Sequence, residues 1–281
     1  MPDETPTSFD QLMAELYAIP VDRHSRHRSN FVYRGLDVSS WDLRTSLQRL
    51  GPSYAEVEGP LLRSFIKYSV DRELASQPLL YKLAFSQHHG LPTRVLDWTT
   101  APKVALHFAV GDENHYDKDG IIWAVDVTLM RELLPDPLIA VLNEQRAFLF
   151  SVDMLPNVVE LRDLDNLAHP NKFVLFFEPP SLDGRIVNQA AILSVMPGAE
   201  LNLKDFLNDH PTAFKRVIVP KELKWEIRDK LDQDQISERM LFPGAEGTAR
   251  WLKRYYGPGP KKVGAGGTPL IFTGPMSGSG A

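Results

Sequence analysis

The sequence predicts an α+β domain, and three observations predict it. Short β-branched and aromatic runs at 31–33, 120–127 and 173–177 read as strands. Between the first two, Leu61, Phe65 and Tyr68 recur at helical spacing. Residues 1–256 show neither an internal repeat nor a Gly/Ser linker, so one domain is the simpler reading.

Taken in order, Ser8 opens a short amphipathic helix, with Gln11 three residues on completing a capping box. A basic run follows, Arg23, His24, Arg26, His27 and Arg28, with no aromatic interleaved, which reads as a solvated or partner-facing loop. Strand 31–33 is expected to end at Gly35 and to deliver Arg34 near its tip. Helices are expected over 54–75 and over 79–89, the second stopped by Gly90. Thr99-Thr100-Ala101-Pro102 reads as a helix start, with threonine capping free amides, Pro102 in the first turn, and Val104 and Phe108 on one face beyond. After strands 120–127 and 173–177, the latter ending at Pro179-Pro180, come strands 191–195 and 216–219. Pro220 then opens a helix with Leu223, Ile227 and Leu231 on one stripe, and a last helix covers about 246–256. From Gly257 the chain is dense in Gly, Pro and Ser and too poor in apolar residues to offset ordering entropy, so a mobile tail is expected, with Leu270-Ile271-Phe272 its one apolar patch. The division is therefore 1–30, an N-terminal helix and basic segment; 31–256, the domain; and 257–281, the tail.

Composition narrows the chemistry. With 43% hydrophobic and 24% charged residues, the 281-residue chain is of ordinary globular type. Its formal net charge of -5 argues against whole-surface binding to nucleic acid or anionic membrane, while leaving room for a local basic groove. There is no cysteine, which removes disulfides, thiolate metal sites and cysteine nucleophiles and fits a reducing, cytoplasmic setting. Neither a signal peptide nor a membrane span is visible, so no membrane partner is expected.

Four segments in order, FVYRGLDVSSWDLRTSLQR, LAFSQHHGLPTRVLDWTTAPKVALHFA, RIVNQAAILSV and ISERMLFPGAEG, resemble the FRG-domain family. The second segment is the specific one, because a lone Tyr-Arg-Gly means little. A more distant likeness is to the ADP-ribosyltransferase superfamily, whose arginine-dependent members place an aromatic-Arg-Gly on a first strand and a Ser-Thr-Ser-like segment before a Val-Ala-Leu-x-Phe-Ala helix. Here Asp97-Trp98-Thr99-Thr100 precedes Val104-Ala105-Leu106-His107-Phe108-Ala109. That likeness implies a mixed, largely antiparallel sheet of split-sandwich type with inserted helices. It also implies NAD as substrate, with ADP-ribose passed to water or to a macromolecular acceptor, protein or nucleic acid. A bacterial toxin or anti-phage role fits the same resemblance. One element departs from the pattern: where those enzymes carry a Glu-x-Glu, this chain reads Asn188-Gln189-Ala190-Ala191.

Site roles follow from residue chemistry set beside these likenesses. Arg34 would grip a pyrophosphate with its guanidinium fork, and Gly35 would let a ligand approach the backbone. Thr93, Arg94, Thr99 and Thr100 would hold phosphate or ribose, with Tyr33 or Trp98 stacked on a base. His89 would bond a ribose hydroxyl or the end of its own helix, and Arg185 would reach a phosphate. Asp97, Gln189 and Glu246 are the candidates for stabilising developing positive charge, Gln189 less effectively because only an ion carries net negative charge. Glu178 and Glu238 are further candidates for a relocated acid. His88 and His89 are adjacent and point apart, so no metal is expected. A non-catalytic module binding a nucleotide or partner in the same cleft is the rival reading, and a metal-dependent nuclease a third.

Overall fold

A computed structural model describes residues 5–18, 26–167, 172–257 and 259. Arg23, His24 and the 260–281 tail lie outside them.

Helix α1 (Phe9–Leu16) is capped by Ser8, whose Oγ accepts from Gln11 N at 3.2 Å. Gln11 Oε1 reaches back to Thr7 N at 2.9 Å, so the reciprocal bond lands one residue earlier than a capping box requires. Strand β1 (Phe31–Leu36) leads to α2 (Tyr54–Tyr68), α3 (Leu79–His88), β2 (Val95–Thr99) and α4 (Pro102–Ala109). Then come β3 (Gly120–Asp126), α5 (Val127–Glu132), α6 (Asp136–Glu144), β4 (Phe150–Ser151), α7 (Leu161–Asn166), β5 (Leu175–Glu178), α8 (Gly184–Asn188) and β6 (Ala191–Val195). The chain closes with α9 (Leu203–Asn208), β7 (Phe214–Val219), α10 (Lys224–Gln233), α11 (Glu238–Leu241) and α12 (Ala245–Tyr255). The seven strands form one sheet in the order β4-β5-β6-β2-β1-β3-β7, in which only β4 and β5 run parallel. The expected α+β class with a mixed, largely antiparallel sheet and helices inserted after the first strand is what the chain adopts.

Three sequence readings are corrected. Gly35 does not end β1: pairing with β3 continues to Leu36↔Ile121, so Arg34 is interior to the strand. Thr99 does not cap α4 but closes β2, paired with β6 from Val95↔Val195 to Thr99↔Ala191. The helix does start at Pro102 as expected, with no side-chain cap. Finally, α2 stops at Tyr68, which is 77% exposed; its inward face carries Leu62 and Glu58 instead.

One face of the sheet packs Val32, Leu36, Leu96, Trp98, Trp123 and Phe176 with α5 and α9. The other face is divided. Tyr33, Ile122 and Val217 pack beneath α1, α4 and α10, while Val95, Leu175 and Leu193 pack beneath α2, α3 and α6. The division falls between β1 and β2, which meet at the single register pair Tyr33↔Thr99, against five or six for each of their outer neighbours. Two neighbouring strands that part after one pair leave backbone groups without ladder partners, and a gap a side chain can enter. Among the described residues no helix is long and apolar enough to cross a membrane.

Candidate functional site

A cavity of about 190 Å³ opens where β1 and β2 part. Arg34 and Gly35 border it from β1, Asp97 and Thr99 from β2, Phe108 from α4, and Arg185 and Gln189 from the α8 region. Arg34 crosses the gap and donates from Nη1 to the main-chain oxygen of Asp97 at 2.6 Å, satisfying a carbonyl left open by the parted strands. Its Nε is shielded from solvent yet has no hydrogen-bond partner, and no carboxylate forms an ion pair with it among the described residues. Burial pushes its pKa below the ordinary arginine value, with the charge of Asp97 pulling the other way. A guanidinium in that condition offers donors to an incoming anion.

Asp97 is exposed, and its Oδ2 accepts from Gln87 Nε2 at 2.9 Å. Gln87 is itself oriented by Thr93, whose hydroxyl donates to Gln87 Oε1 at 2.6 Å. Arg185 lies 4.9 Å above the Phe242 ring and makes no ion pair among the described residues. Asp183 caps α8 by accepting from Arg185 N at 2.8 Å and is held to the end of α3 by His88 Nε2, also at 2.8 Å. Thr99 donates to Gln189 O at 2.6 Å, and Ala190 beside it sits at φ +45°, a conformation that costs a non-glycine residue about 1–2 kcal/mol. These contacts clamp the end of β2 to the turn that carries Gln189, whose Nε2 donates to Leu241 O at 3.0 Å.

The cavity therefore gathers Arg34, Asp97 and the Arg185–Gln189 turn, three segments that lie far apart in sequence. Several expected roles are not available. Tyr33 borders the cavity, but its ring is fully buried and its hydroxyl lies 3.2 Å from Ser29 Oγ, so it cannot stack on a ligand. Trp98 is buried too, with Nε1 donating to Ser194 Oγ at 2.8 Å. Gly35 borders the cavity and is also demanded by packing: a Cβ there would sit 1.8 Å from Ala105 O of α4. The Thr99 hydroxyl is already committed, as described. Arg94 lies away from the cavity in a buried network, donating from Nε to Glu58 at 2.7 Å and from Nη1 to Asp165 at 2.6 Å. Burial opposes its charge, but the two carboxylates outweigh that and hold its pKa above the ordinary value. Thr93 is buried in its bond to Gln87, and Thr100 is exposed outside the cavity wall. His89 donates from Nδ1 to Phe85 O at 2.9 Å, the helix-ending role. Glu246 is a solvated first-turn acid, its side chain 86% exposed and 3.2 Å from Arg250. Glu238 is no free acid either, because Arg254 grips both its oxygens at 2.8 Å and its pKa falls to about 2, although burial alone would raise it. Glu178, at the end of β5, is exposed and absent from the cavity wall.

Sequence reasoning missed Phe108 and Phe242 as features of the site. Phe108 separates the cavity from a broader groove of about 680 Å³ that also touches Phe242, Arg250 and Lys253. The rings meet edge to face, 6.2 Å apart. No local signal marks Phe242, since its neighbour Phe108 is 134 positions earlier in the numbering of the chain, by subtraction of 108 from 242. Among the described residues no three His, Asp or Glu side chains group as a metal site.

The class is thus an α+β domain with an arginine-lined cavity at the parting of two strands. Residues 29–118 match the FRG domain. That segment includes Arg34, Asp97 and Phe108. No curated protein and no solved structure matches the chain.

Proposed function

We propose that the cavity binds a nucleotide of the NAD class and that the protein cleaves the nicotinamide-ribose bond, passing ADP-ribose to water or to a macromolecule. The observation that carries this reading is Arg34, an arginine at the cavity wall with a shielded Nε and, among the described residues, no acid paired to it. Such a donor set suits a phosphate, and Arg185 supplies a second cation on the same wall. Asp97 is the carboxylate that borders the cavity, and an ionised oxygen there would stabilise an oxocarbenium-like transition state as the glycosidic bond breaks. Gln189 would bond a ribose hydroxyl rather than supply charge. At about 190 Å³ the cavity is smaller than the roughly 300–1,000 Å³ usual for ligand sites, so a dinucleotide would extend past Phe108 into the groove.

The second reading, a nucleotide-binding module without catalysis, is favoured by one observation: Asp97 has one oxygen occupied by Gln87, and among the described residues no other acid borders the cavity. Release of nicotinamide from labelled NAD, with and without cell extract, separates the two. The cleavage reading requires release that Arg34→Ala and Asp97→Asn abolish. Release no greater than that of Arg34→Ala sinks it, and a rise in melting temperature with NAD would then favour the binding module.

A further inference from the structure

Next to the cavity, α8, α11 and α12 form a face unlike the rest of a chain whose net charge is -5. Arg185 and Arg250 stack on the Phe242 ring at 4.9 Å and 4.4 Å, and Arg239 lies 4.5 Å from the Trp251 ring. Arg239 and Lys253 are exposed and have no ion-pair partner among the described residues, and Arg250 pairs only with the solvated Glu246. The aromatic run continues outward: Trp251 and Tyr255 rings lie 5.2 Å apart, Tyr255 and Tyr256 5.4 Å, and the two tyrosines are 51% and 67% exposed. Arg254, between them in sequence, is not part of this surface chemistry, being bound to Asp232 and Glu238.

We propose that this face is a binding surface for single-stranded nucleic acid. Phosphates along a strand would meet Arg239, Arg250 and Lys253, while exposed bases would stack on Trp251, Tyr255 and Tyr256. Every base has a π-face, so such a surface takes a strand with little sequence preference. Across the groove stand Asp112 and Glu113, whose charge repels phosphate and keeps the backbone on the α12 side. A duplex would hide its bases inside the stack and lose the aromatic contribution. Because Arg185 belongs to both surfaces, a bound strand would lie beside the cavity mouth. This inference goes beyond the cleavage reading and does not depend on it.

Fluorescence anisotropy with labelled single strands of about 16 nucleotides, RNA and DNA, tests it with the full chain. Both should bind, with affinity falling as salt rises. The double variant Arg239→Glu, Lys253→Glu should bind at least about tenfold more weakly, with a log-log salt slope shallower by about 1.4, as expected for two lost phosphate contacts. Trp251→Ala should weaken binding about fivefold or more. Both substituted charges are exposed, so the double variant should keep its circular dichroism, and Arg239→Glu alone, which lies outside the walls of cavity and groove, should keep any melting shift with NAD. Failure of the cleavage reading would show instead as no nicotinamide release while strand binding persists. Equal affinity for the matching duplex, no binding at about 50 mM salt, no effect of the variants, or preference for phosphatidylserine vesicles would each overturn the proposal.

Discussion

The Nη1 of Arg34 donates to the main-chain oxygen of Asp97 at 2.6 Å, across the gap where β1 and β2 part after one register pair. The bond does two things at once. It closes a backbone valence that a complete ladder would have closed, and it fixes the guanidinium at the cavity wall with its other nitrogens uncommitted. Arg34→Ala should therefore lose ligand binding without a large loss of stability. A hydrogen bond from a charged donor contributes about 1.5–3 kcal/mol, but removing the guanidinium also relieves the unpartnered Nε, so a net loss of about 1 kcal/mol is expected. Arg34→Lys should retain charge but not the fork, and bind NAD at least about tenfold more weakly in calorimetric titration. A loss of several kcal/mol in urea unfolding of Arg34→Ala would make the residue a structural brace instead.

Gly35 should be intolerant of any side chain. A Cβ would fall 1.8 Å from Ala105 O and 2.8 Å from Ala109 N, both backbone atoms of α4 that cannot rotate away. Gly35→Ala must therefore lift α4 from β1, at a cost of about 3 kcal/mol or more in equilibrium unfolding. Phe108 rides on α4, so the same variant should weaken NAD binding although Gly35 itself need not touch ligand.

Much of this was legible in the sequence, and the failures have a common physical origin. The strands at 120–127, 191–195 and 216–219 announced themselves by β-branched runs, and Gly90 by its position after a helical stripe. Thr99-Thr100-Ala101-Pro102 rightly announced a helix start at Pro102, but pairing with β6 holds Thr99 in β2, so its hydroxyl does not cap the helix. Arg34, Asp97, Arg185 and Gln189 could be named as polar residues in motif-like settings, and the cavity does gather them. Arg94 looked equivalent to Arg34, and nothing local told them apart. The difference is Glu58, 36 residues earlier in the chain, which claims one arginine and not the other. Phe242 likewise gains its role only from Phe108 and two arginines brought to it by folding.

The contrast between those two arginines can be measured. Arg94 and Glu58 side chains are each 4% exposed and paired, so Glu58→Ala leaves a buried charge with Asp165 and the Pro197 carbonyl as its remaining partners among the described residues and should cost about 3–5 kcal/mol. The double variant Arg94→Met, Glu58→Leu removes both charges and should recover most of that loss. In chemical denaturation the two substitutions should be strongly non-additive, and NAD binding by the double variant should match that of the unmutated protein. Additive losses, or loss of binding with stability intact, would assign Arg94 to the ligand after all.

His107 supplies a pH dependence whose sign can be worked out. It is buried at the C-terminal end of α4, with Arg228 Nη1 donating to its Nδ1 at 2.8 Å, and its neighbour Phe108 walls the cavity. Burial, with the charge of Arg228 adding to it, pushes its pKa from 6.5 down to about 3. The folded state thus binds a proton at His107 less readily than the unfolded chain does. Its contribution is fully present above pH 6.5 and is lost as pH falls from 6.5 toward about 3, because protonation favours the unfolded state. Between about pH 6 and 5, His107 alone should lower stability by up to about 1.4 kcal/mol per pH unit, the value for one proton. Glu238, whose folded pKa is about 2 against 4.5, adds its own loss only further down, as pH falls from 4.5 toward 2. His107→Asn offers Arg228 an amide oxygen without a titrating ring. Urea midpoints measured across pH 7 to 5 should therefore flatten in that variant, by the share of the slope His107 supplies. An unchanged slope would mean that the ring is already protonated in the fold, or that another histidine carries the dependence.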